Sequence, residues 1–474
     1  MQHIELKGSS VKKFVPWLVA VAFFMEALDT TILNTAVPVI AKALDVPPLS
    51  MKSVLSSYTL SLAVFIPISS WMADRFGTRR VFASAIGIFT LGSLLCGLSH
   101  SIHFLVFCRL LQGFGGAMMV PVGRLTLVRT FPKSELVQSM TFVAIPALIG
   151  PMLGPLVGGL IVAYSHWRLI FFVNVPIGLL GLFLIERFLP DYRTARTDRF
   201  DFAGMILFGA GIALLSYVLE VFGEHTLDSN TVLLILGVGV FFLAAYMVHA
   251  QTIARPLLRL ELLRIRTLQA AVGGNFFTRL GAGGMPFLLA LLYQVGLGLG
   301  PVQSGLLILP QPVAALLFRF WVPQVLHFFG YRTLLLINTV FIGVFIMLFS
   351  LVTPSTSIFS IIALAGGFGI FSSMQYTCMN TLGYADVLDD DASMASTIMS
   401  TVQQLALSFG VAVSSLAAAV FLPDRFHSTQ QEMIHGIHKA FLFLGLITIL
   451  SAVGFLKLKP EDGETLSLHE RKHA

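Results

Sequence analysis

The sequence predicts an all-α polytopic membrane protein, and three observations carry that prediction. The chain of 474 residues is 56% hydrophobic and only 11% charged, against about 25% charged in soluble domains. Fourteen apolar segments each have the length that crosses a bilayer core of ~30 Å. They run 14–40, 51–72, 81–99, 102–125, 138–163, 169–189, 202–222, 231–251, 268–293, 301–322, 331–353, 358–381, 396–421 and 437–457. Lys and Arg fall on alternate connections: with the N-terminus inside, 21 lie on inner stretches and 5 on outer ones. That bias predicts both termini in the cytoplasm.

Segment 1 contains two carboxylates, Glu26 and Asp29. Their spacing of three places them on one helix face. Acids at such depth are costly unless they face a watery cavity, so they mark an ion or proton pathway. The segment lacks a small-residue cleavage site and is expected to be a retained spanner rather than a signal peptide. Segments 2 and 3 meet at Gly77, which permits a tight turn, within a cytoplasmic charge cluster of Asp74, Arg75, Arg79 and Arg80. Segment 4 carries Arg109 about 12 Å below the outer surface, and Asp29 lies about 18 Å below it, at 1.5 Å per residue. The depths differ by little more than a helical turn, which predicts an ion pair of Arg109 with Asp29 or Glu26. The strength of that pair would set the carboxylate's protonation.

In segment 5, Gly150, Gly154 and Gly158 recur every fourth residue, beside Gly159, and Pro151 and Pro155 interrupt the backbone. The glycines form a bare stripe for close helix packing, and the prolines bend the helix. Segments 10 and 11 meet at His327-Phe328-Phe329-Gly330-Tyr331-Arg332, a second Phe-Gly-x-Arg turn eight segments after the first. This faint repeat predicts two six-helix halves, 1–190 and 267–474, with two inserted helices and their flanking loops at 191–266. Duplicated halves around a midplane site are a transporter signature. His327 reads as a decayed counterpart of Asp74. Gln403 and Gln404 read as interhelical hydrogen-bonding residues. The acidic run Asp389-Asp390-Asp391 and the tail HERKHA read as solvated surface. The three cysteines, Cys96, Cys108 and Cys378, lie far apart in apolar segments, so neither a disulfide framework nor a metal site is implied.

Five stretches together resemble the major facilitator superfamily and, within it, the fourteen-spanner drug:proton antiporter branch. They are LDTTILNTAVP (28–38), SWMADRFGTRR (70–80), LVFCRLLQGFGG (105–116), GPMLGPLVGG (150–159) and WRLIFFVNVPIG (167–178). The likeness runs nearly end to end, and Ser70 departs from the usual first glycine of its motif. The resemblance implies that the Asp74–Arg80 loop is a conformational latch. It also implies that segment 5 carries the motif associated with exporters, and that segments 1 and 4 line a central cavity. From segments 9 and 12 it implies that Asn275, Arg279, Gln375, Tyr376 and Asn380 line the rest of that cavity.

These readings lead to an expected function. The chain is expected to be a proton-coupled antiporter in the bacterial cytoplasmic (inner) membrane, exporting small amphipathic compounds by alternating access. Asp29 is the foremost candidate for coupling, with Glu26 as a second proton or substrate-facing site. An exporter of one endogenous anionic metabolite, such as a siderophore or metal chelator, is the alternative, with Arg279 as its anchor. The expected partners are a small-molecule substrate, protons and the lipid bilayer, with no nucleic acid, no cofactor and no metal, and the working form is a monomer. An enzyme is not expected, because no histidine lies deep in a segment, and no Walker-type loop indicates ATP use.

Overall fold

The computed structural model describes residues 2–131, 133–193, 200–222, 228–388, 391–421 and 430–462. Asp389, Asp390 and the HERKHA tail lie outside the described residues. Among those described, the regular secondary structure is all helix, with no strand. Twelve helices are long and apolar enough to cross a membrane. One of these twelve spans 51 residues, Pro301–Leu351, and Ile149–Tyr164 is a further, shorter apolar helix.

The chain divides into two compact units. Unit 1 comprises Met1–Val46 and Ser57–Phe200, and unit 2 comprises Pro47–Ser56 and Asp201–Ala474. In unit 1, α1 (Gln2–Ile32) packs along α7 (Lys133–Tyr164), and α5 (Thr78–Gly97) packs along α6 (Ile102–Thr130) and α9 (Asn174–Phe188). α1 also touches α6 and α9, so three helices converge on its middle. Beyond Ile32 the backbone tightens into a 3-10 turn, Asn34–Ala36, before α2 (Val37–Ala43). Pro38 explains the change, since it has no amide hydrogen to bond the carbonyl of Asn34.

Unit 2 holds the short stretch Pro47–Ser56 and the helices from Phe202 onward. In it α10 (Phe202–Phe222) packs on α11 (Ser229–Thr252), and α12 (Arg266–Ala282) packs on α18 (Ala392–Val420) and α19 (Gln430–Ser451). α16 (Val322–Leu348) lies against α17 (Ile358–Leu382) and α19. The first turns of α3 (Lys52–Phe65) and the 3-10 turn before it are held to α18: Ser415 Oγ donates to the Leu49 carbonyl at 3.0 Å and Ser408 Oγ to that of Ser56 at 3.0 Å.

Two loops follow directly from their chemistry. The first Phe-Gly-x-Arg turn places Gly77 at φ 94°, ψ 145°, and the second places Gly330 at φ 69°, ψ 163°. Both are conformations that side chains with a Cβ rarely adopt. The repeat inferred from six residues therefore recurs as one backbone geometry. The connection after α11 is pinned by Asp201, whose Oδ1 accepts from the Gly204 amide at 2.7 Å and Oδ2 from the Leu257 amide at 3.1 Å. His249 Nε2 also lies 2.7 Å from its Oδ1. Burial pushes the Asp201 carboxyl up, but His249 and the two amides outweigh it and hold the group below the usual carboxylate value.

Candidate functional site

The middle of α1 carries the charge on which unit 1 converges. Asp29 is fully buried, and Arg109, from α6, is only 1% exposed. Arg109 Nη1 donates to Asp29 Oδ2 at 2.5 Å. Two amides complete the carboxylate. Gln112 Nε2, one turn along α6 from Arg109, donates to Oδ1 at 2.8 Å, and Asn174 Nδ2, at the start of α9, donates to the same oxygen at 3.0 Å. Gln112 Oε1 in turn accepts from Arg109 Nη1 at 2.8 Å, so the amide is oriented by the cation and bridges it to the anion. Asn174 also reaches Ser93 Oγ at 3.1 Å, and that hydroxyl donates to the Phe171 carbonyl at 2.9 Å. The Tyr58 ring covers the guanidinium, with its centroid 4.1 Å from Arg109 Cζ. α3 is held to α6 at this level by Ser61 Oγ donating to the Leu110 carbonyl at 2.7 Å.

The chemistry follows from the count of donors. An ionised carboxylate accepts about four hydrogen bonds, and three are present, one of them from a cation. The carboxylate is thus held entirely by protein donors, without solvent. Glu26 differs: it is half-buried on the same helix, within electrostatic reach of Asp29 and of the exposed Arg124.

The depth argument places Arg109 with Asp29 or Glu26, and the structure pairs it with Asp29. Gln112 and Asn174 were quoted only as parts of longer motifs. Their signal was an amide inside an apolar run, which neutral helix packing also produces.

The stripe of α7 seats against the same stretch of α1. A Cβ on Gly150 would stand 2.9 Å from Leu28 N, one on Gly154 2.1 Å from Thr31 Oγ1, and one on Gly158 2.2 Å from the Ile32 carbonyl oxygen. Thr35 Oγ1 donates to the Pro155 carbonyl at 3.0 Å across the same interface. Pro151 is partly buried and Gly159 buried in that helix. The motif thus packs α7 directly behind Glu26 and Asp29.

At the turn between α4 (Ser69–Phe76) and α5, Asp74 Oδ1 pairs with Arg129 Nη2 at 2.5 Å, an arginine in the last turn of α6. Arg129 was absent from the expected cluster. Among Asp74, Arg75, Arg79 and Arg80, the Arg79 amide donates to Asp191 Oδ1 at 3.2 Å, and Arg75 and Arg80 are exposed. Asp191 sits so close that a Cβ on Gly77 would meet its Oδ1 at 2.2 Å. Thr78 holds the Tyr192 backbone twice: its N donates to Tyr192 O at 3.0 Å, and its Oγ1 accepts from Tyr192 N at 3.1 Å.

In unit 2, Arg279 on α12 donates from Nε to Asn275 Oδ1 at 2.5 Å and lies 3.8 Å over the Tyr376 ring. Among the described residues no carboxylate pairs with it. Asn380 is exposed one turn along α17 from Tyr376. Gln375, expected beside them, is fully buried instead. Its Nε2 donates to Thr339 Oγ1 at 2.7 Å and its Oε1 accepts from Asn338 Nδ2 at 3.2 Å, so its amide is spent between α16 and α17.

The model of the Major Facilitator Superfamily matches residues 19–411. The chain belongs to that superfamily. A major facilitator relative, "Putative multidrug resistance protein MdtD" of Escherichia coli (strain K12), is 36% identical over 462 residues, covering 97% of each chain. The protein of the same name from Enterobacter sp. (strain 638) is 36% identical over 466 residues. Among solved major facilitator structures, a D-xylose-proton symporter aligns at TM-score 0.65 and 14% identity, covering 95% of this chain and 98% of that one. A bacterial homologue of the human lysosomal transporter Spinster aligns at TM-score 0.66 and 13% identity, covering 96% and 97%. At these identities the structures share the fold with this chain.

Proposed function

We propose that the protein is a proton-coupled exporter of small amphipathic compounds, working by alternating access in a bacterial cytoplasmic membrane. The observation that carries the reading is the buried Asp29–Arg109 pair with its two amides, in a chain 36% identical to proteins named for multidrug resistance. Protonation of Asp29 cancels the charge that compensates Arg109, and a buried arginine without its counter-ion is unstable. The rearrangement that relieves it is the coupling step, and re-ionisation restores the pair. Glu26, half-buried beside it, serves as the second proton site or meets cationic substrate. The α7 stripe argues for export through the antiporter motif that it resembles. The break at Gly330 divides Pro301–Leu351 into two crossings, and with α7 counted the total is fourteen, with both termini cytoplasmic. The chain works as a monomer, as two six-helix halves with two inserted helices.

The test is transport of an amphipathic fluorescent dye in proteoliposomes under an imposed pH gradient. Wild type is expected to move dye against proton flow, Asp29→Asn to lose gradient-driven movement, and Glu26→Gln to retain part of it. Gradient-driven transport intact in both variants would sink the mechanism.

One observation favours a second reading, the dedicated export of an anionic metabolite. Arg279, held by Asn275 and Tyr376 and facing no carboxylate among the described residues, is preorganised for an anionic group. In that reading Arg279→Gln abolishes transport of the anion and leaves transport of cationic dyes unchanged.

A further inference from the structure

The connection between α11 and α12 encloses a cavity of about 520 Å³ that transport does not use. Its walls include Gln251, Pro256, Arg259, Leu260, Glu261 and Arg264. The frame is fixed, because Asp201 holds the Leu257 amide and Tyr246 Oη both accepts from Leu258 N at 2.9 Å and donates to Leu258 O at 3.2 Å. Of its three charges, Arg259 is ion-paired with Asp391. Glu261 and Arg264, three residues apart on the turn Leu260–Arg264, are paired with no charge among the described residues. The cavity therefore presents one open negative and one open positive charge side by side.

α11 leads into it. Only 11% of the apolar window of Asn230–Thr252 is buried, against 72% for Pro48–Phe76. The exposed side chains recur at helical spacing, Leu233 and Leu234, then Val240 and Phe241, then Met247 and Val248, and the next position on that stripe is Gln251 at the cavity wall. A stripe of this kind in a membrane protein faces acyl chains.

We infer that the cavity is a headgroup site for a zwitterionic phospholipid with a primary amine, phosphatidylethanolamine. Its phosphate lies against Arg264 and Gln251, its ammonium donates to Glu261, and its acyl chains follow the α11 stripe. Phosphatidylglycerol offers Glu261 only neutral hydroxyls in place of an ammonium, and the quaternary ammonium of phosphatidylcholine has no N–H to donate. A charge-assisted hydrogen bond supports discrimination of about tenfold.

The test uses the full chain in nanodiscs holding equal parts of phosphatidylethanolamine, phosphatidylcholine and phosphatidylglycerol with matched chains. After gentle extraction, retained lipid is counted by native mass spectrometry. Wild type is expected to retain phosphatidylethanolamine about tenfold over either competitor. Glu261→Gln is expected to erase that preference while keeping total retention, and Arg264→Gln to reduce retention of all three. Equal retention of the three lipids by wild type overturns the inference, as does an unchanged preference in Glu261→Gln. Full displacement by soluble O-phosphoethanolamine overturns the lipid assignment in favour of a soluble ligand.

Discussion

Asp29 accepts from Arg109, Gln112 and Asn174 with no solvent contact, so its charge is held entirely by groups on α6 and α9. Removing one partner of such a pair leaves an uncompensated buried charge, which costs about 3–5 kcal/mol. Arg109→Ala is therefore expected to lower thermal stability in detergent by that order. The double variant Asp29→Asn with Arg109→Ala is expected to recover most of the loss, because neither charge remains, while staying uncoupled in proteoliposomes. A single variant that melts like wild type would show that Asp29 is neutral in the resting protein. The pair was legible in the sequence because two opposite charges inside apolar segments at similar depth have few ways to be satisfied. Gln112 and Asn174 were not, because an amide in an apolar helix bonds whatever the packing places beside it. Gln375 makes the same point from the other side. It looked equivalent to Asn275 in the chain, yet α16 supplies Asn338 and Thr339 to absorb it.

At the scale of elements, α1 and α7 approach closely enough that the α7 glycines have no room for a methyl group. The obstacles differ in kind along the stripe. At Gly154 the nearest atom is the Thr31 hydroxyl, a side-chain tip, whereas at Gly158 it is the Ile32 carbonyl oxygen, part of the backbone. Overpacking of this kind costs typically 1–3 kcal/mol. Gly154→Ala is expected to destabilise by about 1–3 kcal/mol and to be partly rescued by Thr31→Ala. Gly158→Ala is expected to destabilise at least as much and to gain nothing from that second change. Thermal unfolding of the four variants measures both outcomes, and rescue of Gly158→Ala by Thr31→Ala would mean that the helices shift rather than clash. The spacing of the stripe was readable in the chain. Which helix it meets was not, since a period of four fixes a face without naming its partner. The turn at Asp74 shows the same limit: Asp74 was legible, but its partner Arg129 lies 55 positions on, at the far end of α6.

For the whole molecule, the fourteen-crossing proposal predicts which loops each side of the membrane reaches. Pro301–Leu351 would measure ~76 Å as one straight helix at 1.5 Å per residue, more than twice a hydrocarbon core of ~30 Å. Gly330, at φ 69°, is the position where its backbone leaves helical geometry. The sequence reads 301–322 and 331–353 as separate apolar segments, and the glycine between them leaves helical geometry at positive φ. The proposed fourteen crossings with the N-terminus inside would put the Gly330 turn and the stretch after α19 in the cytoplasm and the 353–357 turn outside. Cys96, Cys108 and Cys378 are all buried, so single introduced cysteines report against a quiet background. Ser355→Cys is expected to react with a membrane-impermeant maleimide in intact spheroplasts. Phe328→Cys and Lys459→Cys, also at exposed positions, are expected to react only after lysis. Reversal of all three would invert the orientation and keep the count. Labelling of Phe328→Cys and Ser355→Cys from the same side would instead remove the crossing between them, and with it the matched six-helix halves on which alternating access depends.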